Sequence, residues 1–336
     1  MTLHSSSPYK FVFILAFLAL LTVLACSGAK QINADTNYAV PLPPVKPAEF
    51  KGDIKIEGSR VVLPISQRMG KLFKMDGFVG EITVDGAGSG KGIQRFCKGE
   101  VDIADSDVPM TLEQIKACTA NKVEPLQFKV AIDAVVLVVS RQSRLVEDLT
   151  KAQLRAIFSG KVKTWKDVDP KWPAQKISLF VPPPDSGTYE YISDQLFKDS
   201  ESDLKKRNGL LAAVPGVTLD SDFEVIAKKV STNNFNLGLV GYAYYQKHRS
   251  QLRAVSVDGV TPNDRTVRPD NANKYAFTRP LFVISSAKSI KSKPQVSAFL
   301  NYYLLTVNSV IADVGYFAQS TETYEEAKKL WLSAQK

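Results

Sequence analysis

One short segment of the chain reads as a strand, a glycine-rich loop and a helix in direct succession. Residues 81–84 (Glu-Ile-Thr-Val) have strand character, residues 85–90 (Asp-Gly-Ala-Gly-Ser-Gly) form the loop, and residues 91–98 follow as a helix. The first amides of a helix have no intrahelical acceptor, and the helix dipole makes this end positive. The segment therefore predicts a helix start that can bind an anion, with Ser89 supplying a hydroxyl.

The same order of elements repeats along the chain. Residues 54–56 precede a helical stretch at 64–75, and residues 177–181 precede another at 187–197. This alternation of short apolar strands with helices favours an α/β fold with a largely parallel sheet.

Two apolar stretches are candidates for the connection between two lobes. Residues 131–140 (AIDAVVLVVS) predict a long valine-rich strand, and residues 279–284 predict a strand that returns to the first lobe. Two such crossings would form a hinge with a ligand cleft beside it. We therefore expect one lobe from residues 51–137 and 281–336, and a second from residues 138–280.

The N-terminus predicts export. Lys10 precedes an apolar run at residues 11–24, which is long enough for a signal peptide but too short for a comfortable membrane span. Residues 23–26 (Val-Leu-Ala-Cys) resemble a lipobox, so we expect residues 1–25 to be removed and Cys26 to be lipidated. An ordinary secretion signal, cut at about the same place, is the alternative.

A proline-rich tether is expected after this cleavage point. Residues 26–50 hold prolines at positions 41, 43, 44 and 47 and few large apolar side chains. The sequence thus predicts a periplasmic protein that a lipid on Cys26 anchors to the cytoplasmic membrane.

The charge pattern argues against nucleic acid as a partner. The formal net charge is +9 at pH 7, but the basic residues are scattered, without a dense run or interleaved aromatic residues. This pattern is more typical of a solvated basic surface, whose field also attracts small anions.

Two cysteines, Cys97 and Cys118, are left beside Cys26. An even pair in an exported protein favours a disulfide, and closing this loop would stabilise the fold by roughly 3 kcal/mol. Two buried free thiols are the alternative.

The sequence offers little for catalysis or for a cofactor. His4 lies in the leader, so a serine hydrolase triad would depend on His248 in a polar helix end. No histidine and cysteine residues have metal-ligand spacing. The glycine loop also misses both nucleotide motifs, because Asp85 stands at the first P-loop glycine and Lys91 interrupts GxGxxG. We expect no enzyme activity, no metal and no cofactor.

Further candidate anion contacts lie in residues 58–60 (Gly-Ser-Arg) and 185–188 (Asp-Ser-Gly-Thr). Both stretches precede predicted helices, and the second carries two hydroxyl groups. Asp107 is informative, since a carboxylate beside a bound anion repels it unless the anion has a proton to give. Asp107 would thus favour hydrogen phosphate over sulfate; a solvated turn residue is the alternative.

Together these motifs resemble the PstS-type phosphate-binding proteins of phosphate ABC transporters, nearest the SphX-like branch. The resemblance covers nearly all of residues 53–333. It is carried by residues 86–107, residues 149–161 with Trp165, and residues 185–188, 239–245, 278–282 and 314–316.

The resemblance implies a type II periplasmic-binding-protein fold with inorganic phosphate as ligand and the transmembrane subunits of an ABC permease as partner. It also implies a Cys97–Cys118 disulfide, and we expect a monomer. The phosphate-binding residues that it implies, with the Arg60 region as this chain's own variant, are Ser59, Arg60, Val61, Ser89, Asp107, Ser186, Gly187 and Thr188.

The chain departs from the family pattern in three places. Arg60 stands where serine or threonine is usual, and Val108 stands where other members of the branch carry arginine. Many members also have an arginine shortly before Ser-Gly-Thr, where this chain has Pro182-Pro183-Pro184 and hence no amide donors. We interpret Arg60 as the compensating cation, with a plain surface residue as the alternative.

Three other functions stay open. The cleft could take a different oxyanion, such as arsenate, sulfate or an organic phosphate, although Asp107 argues against sulfate. The protein could report phosphate to a signalling partner instead of a permease. A phosphatase is the least favoured, because metal ligands and a usable histidine are missing.

If Arg60 is the compensating cation, Arg60→Ala should weaken phosphate binding by at least about 1.5 kcal/mol, the size of a charge-assisted hydrogen bond. Calorimetric titration measures this loss. An unchanged dissociation constant would remove the role from Arg60.

Overall fold

The computed structural model describes residues 40–184, 186–199, 201, 204–267 and 274–336. The predicted signal peptide, Cys26, residues 26–39 of the predicted tether and Asp185 lie outside these residues.

Within the described residues, nine strands form one mixed sheet in the order β2-β1-β3-β11-β4-β8-β6-β7, with β9 added beside β4. Strands β5 and β10 form a separate parallel pair. The strands are β1 (Ile54–Gly58), β2 (Ile82–Asp85), β3 (Ile103–Ser106), β4 (Pro125–Ser140), β5 (Asp148–Leu149), β6 (Ser178–Val181), β7 (Val217–Leu219), β8 (Asn236–Gly241), β9 (Leu252–Ala254), β10 (Ser256–Val257) and β11 (Thr278–Ser286).

Helices connect most of the strands, as the sequence predicted, and a 3₁₀ turn covers Pro47–Glu49. The α-helices are α1 (Leu63–Met75), α2 (Ser89–Cys97), α3 (Leu112–Ala120), α4 (Lys151–Phe158), α5 (Trp165–Val168), α6 (Gly187–Phe197), α7 (Leu204–Ala212), α8 (Phe223–Ser231), α9 (Tyr242–Lys247), α10 (Ala287–Ser292), α11 (Pro294–Val314) and α12 (Thr321–Gln335). In the part of the chain described here, none of these helices is both long and apolar enough to cross a membrane.

Two strands run from one apolar core into the other. Strand β4 pairs with β11 along its first half and with β8 and β9 along its second half. The cores change over between Ala131 and Ala134 on β4, and between Phe277, just before β11, and Leu281 within it. Because β4 is buried without interruption over residues 130–140, its continuous apolar run suits a strand covered on both faces. The predicted α/β fold is confirmed, while the predicted lobe limits stay a prediction.

The disulfide predicted between Cys97 and Cys118 is present. Cys97 ends α2 and Cys118 lies in the last turn of α3, so the bond ties these two helices together. Around it lies a small apolar cluster that includes Phe96, Met110 and Ile284.

Residues 40–50, the end of the predicted tether, pack against the first core. The Val40 amide donates to Glu325 Oε2 at 2.5 Å, and Asn301 Nδ2 donates to the Pro43 carbonyl at 2.9 Å. Leu42, Val45 and Phe50 contact the core itself. This part of the chain is therefore held along the folded surface.

A seam joins the end of α11 to the start of α9. Gly315 ends α11 at φ +93°, and a Cβ at this position would lie only 2.2 Å from the Ala243 Cβ. Next to it, Phe317 exchanges two backbone hydrogen bonds with Ile132 at 2.8 and 2.9 Å, and its ring lies 4.6 Å from that of Tyr242. The seam requires a residue without a side chain at Gly315, for space as well as for its backbone angle.

Strand β3 carries a buried carboxyl group, Asp105. Its Oδ1 accepts a hydrogen bond from Ser66 at 2.9 Å, whereas Oδ2 has no partner among the described residues. Burial raises the pKa of Asp105 to about 7, and the Ser66 hydrogen bond only partly offsets this. Because the folded state holds this proton more tightly, the contribution of Asp105 to stability is largest at low pH and is lost as the pH rises to about 7.

Asp105→Asn should therefore remove much of the pH dependence of folding. Between pH 5 and pH 8 the free energy of unfolding should fall less in Asp105→Asn than in the unmodified protein, as measured by urea unfolding at both pH values. The matched control is Asp313→Asn, since Asp313 is exposed on α11. Equal pH dependence in all three proteins would contradict the assignment.

Candidate functional site

Three segments singled out from the sequence meet where β1, β3 and β6 end. The parallel strands β1, β2 and β3 place their carboxyl ends at one edge, where α2 begins and Asp107 follows β3. The Ser89 hydroxyl donates to Asp107 Oδ1 and accepts the Asp107 amide at 3.2 Å. A Cβ on Gly187, the first residue of α6, would lie 2.8 Å from Asp107 Oδ2 and 3.2 Å from Val61 Cγ2. The start of α6 is thus in direct contact with Asp107 and Val61, which the sequence assigns to the other predicted lobe.

The turn from Ser59 to Val61 lies beside this contact. Several of its polar groups already form hydrogen bonds within the protein. Ser59 is buried, and its Oγ accepts the Val61 amide at 3.1 Å. Its own amide donates to the Asp105 carbonyl at 2.8 Å. Of these predicted ligand groups, the Ser59 hydroxyl and the Val61 amide are therefore already engaged with each other.

Arg60 lies along the glycine loop. Its Nε donates to the Gly86 carbonyl at 3.0 Å, and its side chain is exposed where it lines the cavity described below. A Cβ at Gly86 would come within 3.0 Å of Arg60 Cγ, so this glycine leaves room for the arginine stem. The predicted cation is at the site, although at its exposed margin.

Helix α6 presents its first turn to the same place. The Ser186 amide donates to the Pro183 carbonyl at 2.9 Å, which folds the chain into the helix start. Its hydroxyl makes no capping bond, and Thr188 is buried in the first turn. The amides of the first turn have no intrahelical acceptor, so this end of α6 offers donors to an anion.

Arg279, at the start of β11, is a site residue that the sequence reasoning missed. Its Nη1 donates to Asp107 Oδ2 at 2.5 Å and to the Gly187 carbonyl at 2.8 Å. Its Nε donates to Asp133 Oδ2 at 3.0 Å, and its guanidinium carbon lies 4.9 Å from the centre of the Tyr191 ring. An arginine inside the apolar stretch 279–284 was the available signal, because a charged residue there has to be buried with partners.

The charges around Arg279 are strongly coupled. Burial opposes the charge of Arg279, yet the carboxylates of Asp107 and Asp133 outweigh it and raise the guanidinium pKa. Burial also raises the pKa of Asp133, and the attraction of Arg279 only partly counters this. Arg279 Nη2 lies 2.9 Å from Asp133 Oδ2 without a well-aligned hydrogen bond among the described residues. One buried cation thus serves two buried carboxyl groups.

A cavity of about 660 Å³ opens beside this cluster, between the two lobes. It contains most of the residues predicted from the sequence, whereas Ser89 and Asp107 lie behind its wall in the cluster around Arg279. Its polar and charged lining residues are Arg60, Asp133, Ser186, Thr188, Ser221, Tyr244, Lys247 and Tyr316.

The described residues contain no group of three or more His, Cys, Asp or Glu side chains that could hold a metal ion. His248 stacks on the Tyr244 ring, with centroids 4.1 Å apart, and its Nε2 lies 3.4 Å from Glu224 Oε2. The chemical groups at this contact are instead the amides of the α6 start, hydroxyl groups and a shielded cation.

Replacing the buried cation should destabilise the fold, because its two acidic neighbours stay buried. Arg279→Met should lower the free energy of unfolding by about 3–5 kcal/mol, because Asp107 and Asp133 lose their partner. The loss should be larger at pH 8 than at pH 5, where the unpaired acids can take up protons. Urea unfolding at both pH values measures this.

The matched control is Arg141→Met, because Arg141 is exposed and should change stability by less than about 0.5 kcal/mol. A loss below about 1 kcal/mol in Arg279→Met, or one that is independent of pH, would contradict the charge coupling described above.

The geometry agrees with the family and the relatives that the chain resembles in sequence. The sequence pattern of the PBP superfamily domain matches residues 44–306. Proteins from two Staphylococcus aureus strains, both named phosphate-binding protein PstS, are 28% and 29% identical over 319 and 322 residues; each comparison covers 94% of this chain and 90% of the relative.

The chain is also similar in fold to solved structures. A possible phosphate-binding protein from Planctomyces limnophilus superposes with a TM-score of 0.70 and 26% identity, over 85% of this chain and 100% of that one. An ABC-type phosphate transport receptor from Vibrio cholerae, at 21% identity, shares the fold with a TM-score of 0.63, over 79% of this chain and 99% of that one. Since the family match spans most of the chain and the crossed, two-core sheet agrees with it, the protein belongs to the PBP superfamily and has the type II periplasmic-binding-protein fold.

Proposed function

We propose that the protein is an extracytoplasmic solute-binding protein that captures inorganic phosphate between its lobes and delivers it to an ABC permease. The observation that carries the proposal is the convergence of the α2 and α6 starts on the buried Arg279–Asp107 pair. The similarity to PstS proteins of Staphylococcus aureus and to the Planctomyces limnophilus protein supports phosphate as the ligand.

In this proposal the anion lies against the first turn of α6 and within reach of α2. Backbone amides and the hydroxyls of Ser186 and Thr188 would replace its water shell, Ser89 would turn its hydroxyl from Asp107 to the anion, and the two helix dipoles would favour its charge. Arg279 would replace the arginine that many family members have shortly before Ser-Gly-Thr. Arg60 would add positive charge at the margin of the site.

Asp107 would make the site selective among oxyanions. Ser89 and Arg279 each engage one of its oxygens, but a carboxylate has further lone pairs to offer. It can therefore accept a proton-bearing oxygen of hydrogen phosphate, whereas sulfate has no proton to give at neutral pH and would be repelled.

Binding needs contacts from both lobes to favour a closed arrangement. Ser89 and Asp107 belong to the first core's side of the sheet, while Gly187 and Thr188 belong to α6 on the second. An anion that contacts both sides stabilises their approach by the difference in its binding energy between the two arrangements. The strands β4 and β11 are the connections that such a motion would bend.

The remaining aspects of the proposal come from the sequence motifs and the family resemblance. We infer a non-enzymatic, monomeric receptor without a cofactor, held at the membrane by a lipid on Cys26, with the permease's transmembrane subunits as its partner. Arsenate in the same cavity and a sensing role are the nearest alternatives, and a phosphomonoesterase assay addresses the enzymatic one.

Calorimetric titration of residues 27–336, stripped of ligand, should show tight one-to-one binding of phosphate and no heat with sulfate. Gly187→Ala should raise the phosphate dissociation constant at least about tenfold, since its Cβ would press on Asp107 Oδ2.

Gly209→Ala is the control, because a Cβ there meets no atom within 4 Å. Equal affinity for sulfate, or an unchanged constant for Gly187→Ala, would count against the proposed site. Silence with both anions would mean that the cavity serves another ligand.

A further inference from the structure

The cavity is larger than an inorganic phosphate ion requires. The lobes already touch where Gly187 meets Asp107 and Val61, yet about 660 Å³ remains open beside this contact. Cavities of this size are typical of sites that enclose an organic ligand. The space therefore has room for more than the five heavy atoms of the anion.

Part of the wall beyond the helix starts consists of residues with rings. Pro64, Pro182 and Pro183 line the cavity together with Phe223 and Tyr244. Prolines offer no amide hydrogen, so this part of the wall cannot hydrogen-bond further phosphate oxygens through proline nitrogens. Flat apolar surfaces instead suit a flat apolar group.

The two aromatic residues are held in place without a ligand. The rings of Phe223 and Tyr244 lie 5.6 Å apart, and Tyr244 Oη donates to Glu224 Oε2 at 2.5 Å. His248 stacks on the Tyr244 ring from beside it, at 4.1 Å. A wall that is already ordered loses little conformational entropy when a ring packs against it.

The charges fit a phosphomonoester that carries one proton on its phosphoryl group. Such an ester still has one P–OH group, which can donate to Asp107 as hydrogen phosphate would, while the ester oxygen bears the organic part. Lys247 lines the cavity, and no carboxylate in the described part of the chain forms an ion pair with it. Its ammonium group is therefore available to attract the phosphoryl group.

We propose that the cavity also binds phosphomonoesters whose organic part is a flat ring, with the phosphoryl group at the start of α6 and the ring against Phe223 and Tyr244. This inference rests on the proposed function only for the position of the phosphoryl group. It widens the substrate class from inorganic phosphate to aromatic phosphate esters.

The test titrates residues 27–336 with inorganic phosphate, methyl phosphate, phenyl phosphate and pyrophosphate. Phenyl phosphate should bind about tenfold more tightly than methyl phosphate, from ring packing. Phe223→Ala should weaken phenyl phosphate at least about fivefold and leave inorganic phosphate within about twofold. Tyr244→Phe keeps the ring and should keep phenyl phosphate binding, whereas Tyr244→Ala should not; thermal unfolding checks that each variant is folded.

The outcomes separate the two proposals. If inorganic phosphate binds and both esters fail, or if Phe223→Ala changes nothing, the inference is overturned and the proposed function stands. If pyrophosphate binds more tightly than phenyl phosphate and Lys247→Ala abolishes the difference, the extra space serves a second anionic group and the inference is again overturned. If no phosphate compound binds, both proposals fail.

Discussion

The buried guanidinium of Arg279 is the interaction on which the arrangement of the site depends. It binds Asp107 at the end of β3, Asp133 in β4 and the Gly187 carbonyl at the start of α6, so one side chain reaches both lobes and the strand between them. Removing one partner from a buried ion pair costs several kcal/mol, because the remaining charge is left uncompensated. The relative position of the three segments is therefore specified by charge as well as by apolar packing, and an incoming anion meets a site whose cation is already shielded and oriented.

The sheet explains how this cation reaches its partners. Strand register places Arg279 directly opposite Asp133, and the register between β4 and β11 shifts just afterwards, between Leu281 and Phe282. Parallel pairing of β1 with β2 and β3 brings the Ser59 turn, the glycine loop and Asp107 to one edge. The disulfide then fixes the far end of α2 against α3. Long-range strand pairing in this way brings together segments that the sequence marks separately.

Much of this could be predicted from the sequence, and what could not has a physical reason. Ser89 and Gly187 could be singled out because glycine and hydroxyl residues mark a helix start, and Asp107 because its carboxylate can accept a proton from hydrogen phosphate; the structure brings the three together. Arg279 was missed because its role depends on the pairing of β11 with β4, residues separated by more than a hundred positions. The internal bond between Ser59 and the Val61 amide escaped notice for a similar reason: sequence shows which groups are polar, not which of them are already paired.

The seam at Gly315 bears on how far the lobes can move. Since the backbone of α11 already touches Ala243 there, the molecule has a hard-contact stop at this point, and any excursion from the present arrangement has to separate the two helices. Even a single methyl group at Gly315 would clash with Ala243 and push the two helices apart. In the proposed function it would hold the lobes apart and lower the apparent affinity by the fraction of closed molecules lost. Gly315, which is outside the predicted ligand set, would in this way shift the balance between capture and release.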